Sequence, residues 1–221
     1  MTTFDWGRFY GVTKDAEPWP LLMRAAALAP SAKRALDLGA GAGRDTRYLL
    51  RHGFQVTAVD ADPRAVALLA AVPEAESSGR LHVVRSSFDA FDFATYDLIN
   101  AQFALPFVPR DRFAGMFARL KAALSPGGIF AGHFFGVHDA WNTSGTALTF
   151  ETPDGALTYP TAGHAMTFHT RPEAEALLSD LETIEFTEED ADGHVADGSP
   201  KHWHVFHILA RRPGREEPPG V

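Results

Sequence analysis

Short apolar runs alternate with helical patterns between residues 33 and 136. The runs RALDL, FQVTAVD, LHVVR, YDLINA and GGIFAGHFFG have the length and the β-branched or aromatic content of buried strands. Between the fourth and fifth runs, apolar residues recur at helical spacing at positions 113, 116, 117, 120 and 124. This alternation predicts an α/β fold in which a doubly wound parallel sheet carries helices on both faces.

Polar residues and glycines predict several helix ends. Asp62 is expected to cap the helix that follows the second strand, because its carboxylate can accept from the first free amides. Gly127 and Gly128 are expected to end the helix before the fifth strand. Later in the chain, TRPE predicts a capping box, in which Thr170 and Glu173 each bond the other's backbone amide.

The regular alternation ends after residue 136. Residues 137–168 are predicted to form a long irregular insertion that resembles a lid. Insertions of this kind are more often functional than idle. The runs LETIEF and HWHVFHILA then predict two antiparallel strands at the sheet edge, joined by an acidic, glycine-containing connection. We therefore predict one domain over residues 1–211, followed by a disordered tail at residues 212–221.

Composition narrows the classes of partner. The chain has 221 residues, of which 45% are hydrophobic, and a formal net charge of -8 without a basic stripe. This charge argues against nucleic acid and anionic membrane partners. The absence of cysteine excludes disulfides and thiolate metal sites, and no signal-peptide pattern or membrane-length apolar run is present. A cytoplasmic protein, monomeric or homodimeric, is expected.

The stretch DLGAGAGRD contains the strongest chemical signal. Gly39, Gly41 and Gly43 follow the first strand, where a turn without side chains lets a ligand reach the backbone amides at a helix start. Asp60 ends the second strand 21 residues after Gly39, a spacing suited to binding ribose hydroxyls. An adenosine-containing cofactor is therefore expected. Arg44 occupies the third-glycine position of a nicotinamide or flavin fingerprint, which disfavours a dehydrogenase.

In order and spacing, DLGAGAGRD, VDADP, SSF, YDLINA and LKAALSPGGIF resemble the successive motifs of class I S-adenosylmethionine-dependent methyltransferases. The arrangement is similar to the small-molecule group that includes the tellurite-resistance methyltransferases. The resemblance implies a seven-stranded Rossmann-like sheet of order 3-2-1-4-5-7-6 with strand 7 antiparallel, a cover of N-terminal helices over residues 1–30, and S-adenosylmethionine as cofactor.

The resemblance also implies roles for individual residues. The cofactor residues that it implies are Asp37, Gly39, Gly41, Gly43, Asp60, Ala61, Ser87, Phe88 and Asn100. Among them, Asp37 would orient the amino group of the cofactor and Asp60 would accept from both ribose hydroxyls. Ser87 departs from the acidic residue that is common in the family, and an ordinary loop is an equal alternative there. Trp6, Phe9 and Tyr10 fit the N-terminal cover.

The acceptor side is predicted from its position in the sheet. Substrate-binding candidates are Trp6, Tyr10, Gln102, Phe103 and Trp141. His138 and Asp139, which follow the fifth strand, are the candidate catalytic bases, whereas His133 is expected to lie in the core. His202 and His204 share one strand face and His207 the other, so a structural strand is favoured over a metal site.

The predicted function is methyl transfer to a small-molecule acceptor. An alternative from another class is a regulatory protein that binds S-adenosylmethionine without catalysis.

Overall fold

The computed structural model describes residues 6–74, 79–143, 148–150, 157–159, 166–196 and 198–214. Its strands are β1 (Arg34–Leu38), β2 (Gln55–Asp60), β3 (Leu81–Arg85), β4 (Tyr96–Ala101), β5 (Leu124–Gly136), β6 (Leu148–Phe150), β7 (Leu157–Tyr159), β8 (Phe168–His169), β9 (Glu182–His194) and β10 (Pro200–Arg211). Its helices are α1 (Trp6–Thr13), α2 (Pro20–Leu28), α3 (Arg44–Arg51), α4 (Pro63–Ala70), α5 (Arg110–Ala123), α6 (Ala140–Thr143) and α7 (Arg171–Leu177), with a 3₁₀ turn at Leu105–Phe107.

The large sheet has the predicted topology. Its order is β3-β2-β1-β4-β5-β10-β9, and β8 pairs with the end of β5. The first five strands are parallel, while β10 runs antiparallel to both β5 and β9. Counted in chain order along this path, β9 is the sixth strand and β10 the seventh, so the order 3-2-1-4-5-7-6 is confirmed. The small strands β6 and β7 pair only with each other among the described residues.

Helices cover both faces of the sheet, as the alternation predicted. On one face, Leu22 of α2, Leu49 of α3 and Leu69 of α4 are fully buried in a common cluster. On the other face, Phe117 of α5 and Ala174 of α7 are equally buried. Removing these side chains from water is the main stabilising contribution of each layer, at roughly 25 cal/mol per Å² of apolar surface.

Two local predictions about helix caps are confirmed. The Asp62 carboxylate accepts from the Arg64 amide at the start of α4. The capping box of α7 is complete, because the Thr170 hydroxyl accepts from the Glu173 amide and the Glu173 carboxylate accepts from the Thr170 amide. The prediction for Gly127 and Gly128 is wrong: α5 ends at Ala123, and both glycines lie within β5.

The acidic connection between the last two strands is also a wrong prediction, because it is part of β9. The strand continues to His194, and its carboxylates pair with the histidines of β10. Glu188 and Asp190 contact His204 and His202 at 2.8 Å each. Such cross-strand pairs stabilise a sheet, and charged side chains on an edge strand also discourage pairing with other chains. Long-range pairing therefore overrides a composition that is typical of a loop.

The described part of the chain includes only pieces of the two segments expected to be irregular. Within residues 137–168 the structure describes 137–143, 148–150, 157–159 and 166–168, and the rest of the expected lid lies outside the described residues. Residues 215–221 of the expected tail also lie outside them. No helix in the described part of the chain combines the length and apolarity that a membrane crossing requires.

The capping box offers a direct test of the α7 boundary. We expect Thr170→Ala to lower the free energy of unfolding by about 1 kcal/mol, because the Glu173 amide loses its partner. Thr170→Ser keeps the hydroxyl and should cost much less. Urea denaturation of both variants measures this difference, and equal losses would contradict the capping role.

Candidate active site

A cavity of about 850 Å³ opens at the carboxyl ends of the parallel strands. Its walls come from the turn after β1, the ends of β2, β4 and β5, the helix α1 and the hairpin formed by β9 and β10. The carboxyl ends of strands, where the strand order reverses, are the usual ligand site of doubly wound sheets. The volume lies near the upper end of the roughly 300–1,000 Å³ typical of ligand cavities.

The turn after β1 requires glycine at two positions for different reasons. At Gly39, φ is +76° and a Cβ would lie 2.5 Å from the Cβ of Ala104, so no side chain fits. At Gly41 there is room for a Cβ, which would lie 3.6 Å from the Tyr10 ring on the cavity wall. Glycine is favoured there because φ is +53°, a left-handed conformation that other residues rarely adopt. Gly43 does not line the cavity; a Cβ there would press on Val72 and Leu69, so this glycine lets α3 and α4 pack closely.

Asp60 holds the far side of this turn. Its carboxylate accepts from the Gly41 amide and from the Asp62 amide, each at 2.9 Å. Burial raises the pKa of Asp60 to about 6, and the two amide bonds oppose that shift. Each carboxylate oxygen retains a second lone pair, so the group can still accept from hydroxyls of a ligand.

Two buried carboxylates lie beneath the turn and share one amide group. The Asn100 Nδ2 atom donates to Asp37 at 2.9 Å and to Asp45 at 3.2 Å, while the Thr46 hydroxyl donates to Asp37 at 2.6 Å. Burial, and then the neighbouring Asp45 charge, raise the pKa of Asp37. Because both carboxylates accept, the orientation of the Asn100 amide is fixed with its oxygen pointing away from them.

The orientation of the Asn100 amide fixes that of Gln102, the next side chain along the cavity wall. The Asn100 Oδ1 atom accepts from Gln102 Nε2 at 2.7 Å, so the Gln102 amide is also fixed. Its Oε1 atom is buried and has no hydrogen-bond partner among the described residues. Gln102 therefore lines the cavity with an amide whose acceptor oxygen is buried and unused.

Aromatic side chains cover the cavity from the N-terminal side. Trp6 lies 5.3 Å from Phe9 and 5.8 Å from Phe107 between ring centroids. Tyr10 is 4% exposed and donates its hydroxyl to Asp62 at 3.2 Å, and this contact ties α1 to the loop after β2. Ala61, Ser87 and Phe88 also line the cavity beside that loop.

Phe103 stands at the centre of the opposite wall in an unusual backbone conformation. Its φ of 53° is the only positive value outside glycine in the described residues. Its amide donates to His133 Nδ1 at 3.3 Å, and its ring lies 4.1 Å from the His133 ring and 4.8 Å from Trp19. Strain of about 1–3 kcal/mol is typical of such a residue and is concentrated at functional sites. His133 itself is buried, as expected.

His138 and Asp139 do not line the cavity. The His138 ring is 64% exposed and contacts Asp190 at 2.9 Å, on the face of the β9–β10 hairpin opposite the cavity. Asp139 is fully buried and accepts from Lys201 Nζ at 2.5 Å and from the Trp141 amide at 2.9 Å. The structure thus places neither predicted base among the cavity side chains, and Asp139 positions Trp141, which does line the cavity.

Lys201 is enclosed by aromatic rings behind the cavity wall. Its ammonium lies 3.5 Å from the Trp203 ring centroid and 4.3 Å from that of Trp141. Burial lowers the pKa of Lys201 to about 8, although the Asp139 carboxylate favours the charged form. This ion pair and its rings hold the wall in place.

Several cavity residues were missed by sequence reasoning. They are Trp19, Arg44, Phe107, Glu189, Trp203 and His207. Arg44 stacks 4.5 Å over the Trp19 ring and donates to Asp45 at 3.2 Å, so it faces the cavity and not the helix–strand contact. Strand alternation could have identified Trp203 and His207, since they share the face opposite His202 and His204.

A second group of titratable side chains lies on the face of the β9–β10 hairpin opposite the cavity. Single ligand atoms of His138, Asp190 and His204 are within 4.8 Å of one another. Both ring nitrogens of His204 already have partners, namely the His138 amide at 3.0 Å and Glu188 at 2.8 Å. The observed arrangement is a hydrogen-bond network that joins β9, β10 and the loop after β5.

Comparison with known proteins shows a similarity over part of the chain. Residues 35–128 match the family described as a methyltransferase domain. This segment is similar to class I S-adenosylmethionine-dependent methyltransferases. S-adenosylmethionine is the cofactor of this family. The matched segment includes the glycine turn, Asp60 and the buried carboxylates beneath them.

Two curated relatives and one solved structure illustrate the similarity. A trans-aconitate 2-methyltransferase of Variovorax paradoxus is 36% identical over 109 residues, which cover 46% of this chain and 38% of that protein. A carboxy-S-adenosyl-L-methionine synthase of Ectopseudomonas mendocina is 33% identical over 101 residues, or 42% of this chain and 41% of that protein. The crystal structure of TehB from Haemophilus influenzae has a TM-score of 0.65 at 22% identity, covering 86% of this chain and 61% of that one. The matches thus span about two fifths of each curated relative.

The buried Asp139–Lys201 pair generates a stability prediction. We expect Asp139→Ala to cost about 3–5 kcal/mol, because it leaves the Lys201 ammonium buried without a counter-charge. The double variant Asp139→Ala/Lys201→Met should recover much of this loss. Urea denaturation compares the two; equal losses would show that the amide bonds of Asp139, and not the ion pair, carry the effect.

Proposed function

We propose that this protein uses S-adenosylmethionine to methylate a small-molecule acceptor. The observation that carries the proposal is the side-chain-free turn at Gly39 and Gly41, with the Asp60 carboxylate bonded across it. A turn of this kind admits a ligand to main-chain amides, while a carboxylate at the end of the second strand accepts from ribose hydroxyls. The domain family supports the same cofactor.

The chain's own residues divide the binding work. Asp60 would accept from the ribose hydroxyls, and Asp37, through its position under the turn, would attract the amino group of the cofactor. Ala61, Ser87 and Phe88 would line the adenine side, since all three are on the cavity wall. Asn100 contributes by holding Asp37 and Asp45. Gly43 acts through the packing of α3 against α4.

When bound, the cofactor supplies a sulfonium methyl group, which is already activated for transfer. The task left to the protein is to orient the acceptor and exclude water. The aromatic cover of Trp6 and Tyr10 and the opposite wall of Phe103 and Trp141 suit that task. Gln102 would contribute its unused acceptor oxygen.

A small-molecule acceptor is supported by the size of the cavity, which at about 850 Å³ is in the range of small-ligand sites. One relative is named as a methyltransferase of trans-aconitate, which is also a small molecule. The positions of His138 and Asp139 support a structural role for both, since neither reaches the cavity. Transfer of radiolabelled methyl groups to thiols, phenols, amines and chalcogen oxyanions would separate catalysis from binding alone.

Cofactor binding tests the central claim. We expect Asp60→Ala to weaken binding of S-adenosylhomocysteine by about 1–3 kcal/mol, because the ribose hydroxyls lose a charged partner. Isothermal titration calorimetry measures the change. Asp111→Ala is the matched control, since Asp111 is exposed on α5 and outside the cavity. Unchanged affinity in Asp60→Ala would contradict the assignment.

The raised pKa of Asp60 predicts a pH dependence. In the free protein this carboxyl takes up a proton as the pH falls through about 6, whereas ribose binding requires the ionised form. The association constant of S-adenosylhomocysteine should therefore fall up to tenfold per pH unit below that value. Asp60→Asn should remove this contribution and flatten the profile. Calorimetry between pH 7.5 and 5 provides the comparison.

The raised pKa of Asp60 also affects the stability of the fold. Acid weakens ligand binding through this group but stabilises the free protein. Between its ordinary pKa of 3.8 and about 6, Asp60 holds a proton in the folded state but not in the unfolded state. Its contribution to the free energy of unfolding therefore decreases as the pH rises through this window. The free site is stabilised by acid, while the ligand-bound site is favoured at neutral pH.

A further inference from the structure

The hairpin formed by β9 and β10 closes the cavity at the end remote from the glycine turn. In the sheet, β4, β5 and β10 separate β1 from β9. At about 4.8 Å per strand, these four spacings place β9 roughly 19 Å from the glycine turn. Glu189 of β9 and Trp203 and His207 of β10 line this remote end. With the cofactor at the glycine turn, an acceptor that fills the rest of the cavity extends from the cofactor to this remote end.

Strand alternation brings Glu189 and His207 to the same face. Glu189 pairs with Val205 in the β9–β10 register, so His207 is its diagonal neighbour two residues along. His207 also pairs directly with His133 of β5. The three side chains form one row across the three strands, beginning beneath Phe103 and ending at the remote end of the cavity.

A chain of hydrogen bonds follows this row, and one backbone amide fixes all its protons. The Phe103 amide can only donate, so His133 Nδ1 must accept, at 3.3 Å. His133 then carries its proton on Nε2 and donates to His207 Nδ1 at 2.9 Å. His207 in turn carries its proton on Nε2 and donates to Glu189 Oε2 at 3.2 Å. Every link donates towards Glu189.

This chain gives Glu189 an oriented bond but no counter-charge. Charging either histidine would turn an accepting nitrogen into a donor and break one of the links. Among the described residues, no lysine or arginine lies within 4.0 Å of the Glu189 carboxylate. The nearby cations are engaged elsewhere, because Lys201 pairs with Asp139 and Arg44 with Asp45. Glu189 therefore lies about half exposed on the cavity wall, with no described lysine or arginine in direct contact and only the more distant Lys201 charge acting on it.

We propose that Glu189 binds a cationic amino group at the end of the acceptor remote from its methyl-accepting atom. This inference rests on the proposed function and specifies its substrate class: an elongated molecule with an aromatic or apolar middle and an ammonium tail. Phe103, Trp141 and Trp203 form the apolar wall along which the middle part lies. A charged hydrogen bond to a carboxylate anchors the ammonium more strongly than a neutral bond does.

The test uses binding to the full chain saturated with S-adenosylhomocysteine, so it does not depend on knowing the nucleophile. Three probes of similar size differ in tail charge: 2-phenylethylamine, 2-phenylethanol and phenylacetate. Calorimetry should show the amine binding about tenfold more tightly than the alcohol, and the phenylacetate binding most weakly. Equal binding of the three probes, or a preference for phenylacetate, would overturn the proposal.

Two variants locate the preference. Glu189→Gln keeps the size and should reduce amine binding to the level of the alcohol. Glu188→Gln is the matched control, because Glu188 lies on the opposite face with His204 and Arg171, and it should retain the preference. A preference that persists in Glu189→Gln would contradict the role of Glu189. If S-adenosylhomocysteine itself fails to bind, the proposed function fails first, which is a distinct result.

Discussion

The burial of two carboxylates under the glycine turn is the constraint on which the rest of the site depends. Asp37 and Asp45 can be tolerated there because Asn100, Thr46 and the Trp19 amide donate to them, and because Arg44 forms an ion pair with Asp45. Their demand for donors fixes the Asn100 amide, and Asn100 in turn fixes Gln102. One electrostatic requirement thus sets the direction of side chains from the first strand to the cavity floor. The polar groups of the site are thus held in fixed orientations before any ligand arrives.

Much of the fold follows from local signals in the sequence. The β1–β5 alternation, the Asp62 cap and the Thr170 capping box are each determined by residues within a few positions of one another, and each forms as predicted. The glycine turn and Asp60 could be placed at the same site because parallel strands end at the same edge. The seventh strand followed from the family resemblance, and the sheet confirms its place.

The parts that could not be predicted depend on contacts between distant residues. The acidic stretch of β9 has the composition of a loop, and only its pairing with the β10 histidines makes it a strand. His138 and Asp139 follow β5 as expected, yet the buried Lys201 draws Asp139 into the wall. In the sequence, Arg44 served only as evidence against a dinucleotide fingerprint, but Trp19, from a separate segment, gives its side chain a place at the cavity. None of these partners is near in sequence.

The alternation of β9 and β10 has a consequence for how this fold can diversify. Odd-numbered positions such as 189, 203 and 207 face the cavity, while 188, 202 and 204 belong to the hydrogen-bond network on the opposite face. Inserting one residue within either strand would reverse the side-chain directions beyond that point. The network residues would then face the cavity, and the present cavity residues would face away from it. Length changes that preserve both faces must therefore come in pairs, be confined to the hairpin loop, or be absorbed in a β-bulge such as the register shift between Leu209 and Ala210. Substrate range in such a protein can evolve readily by substitution at alternate positions, and only rarely by single insertions.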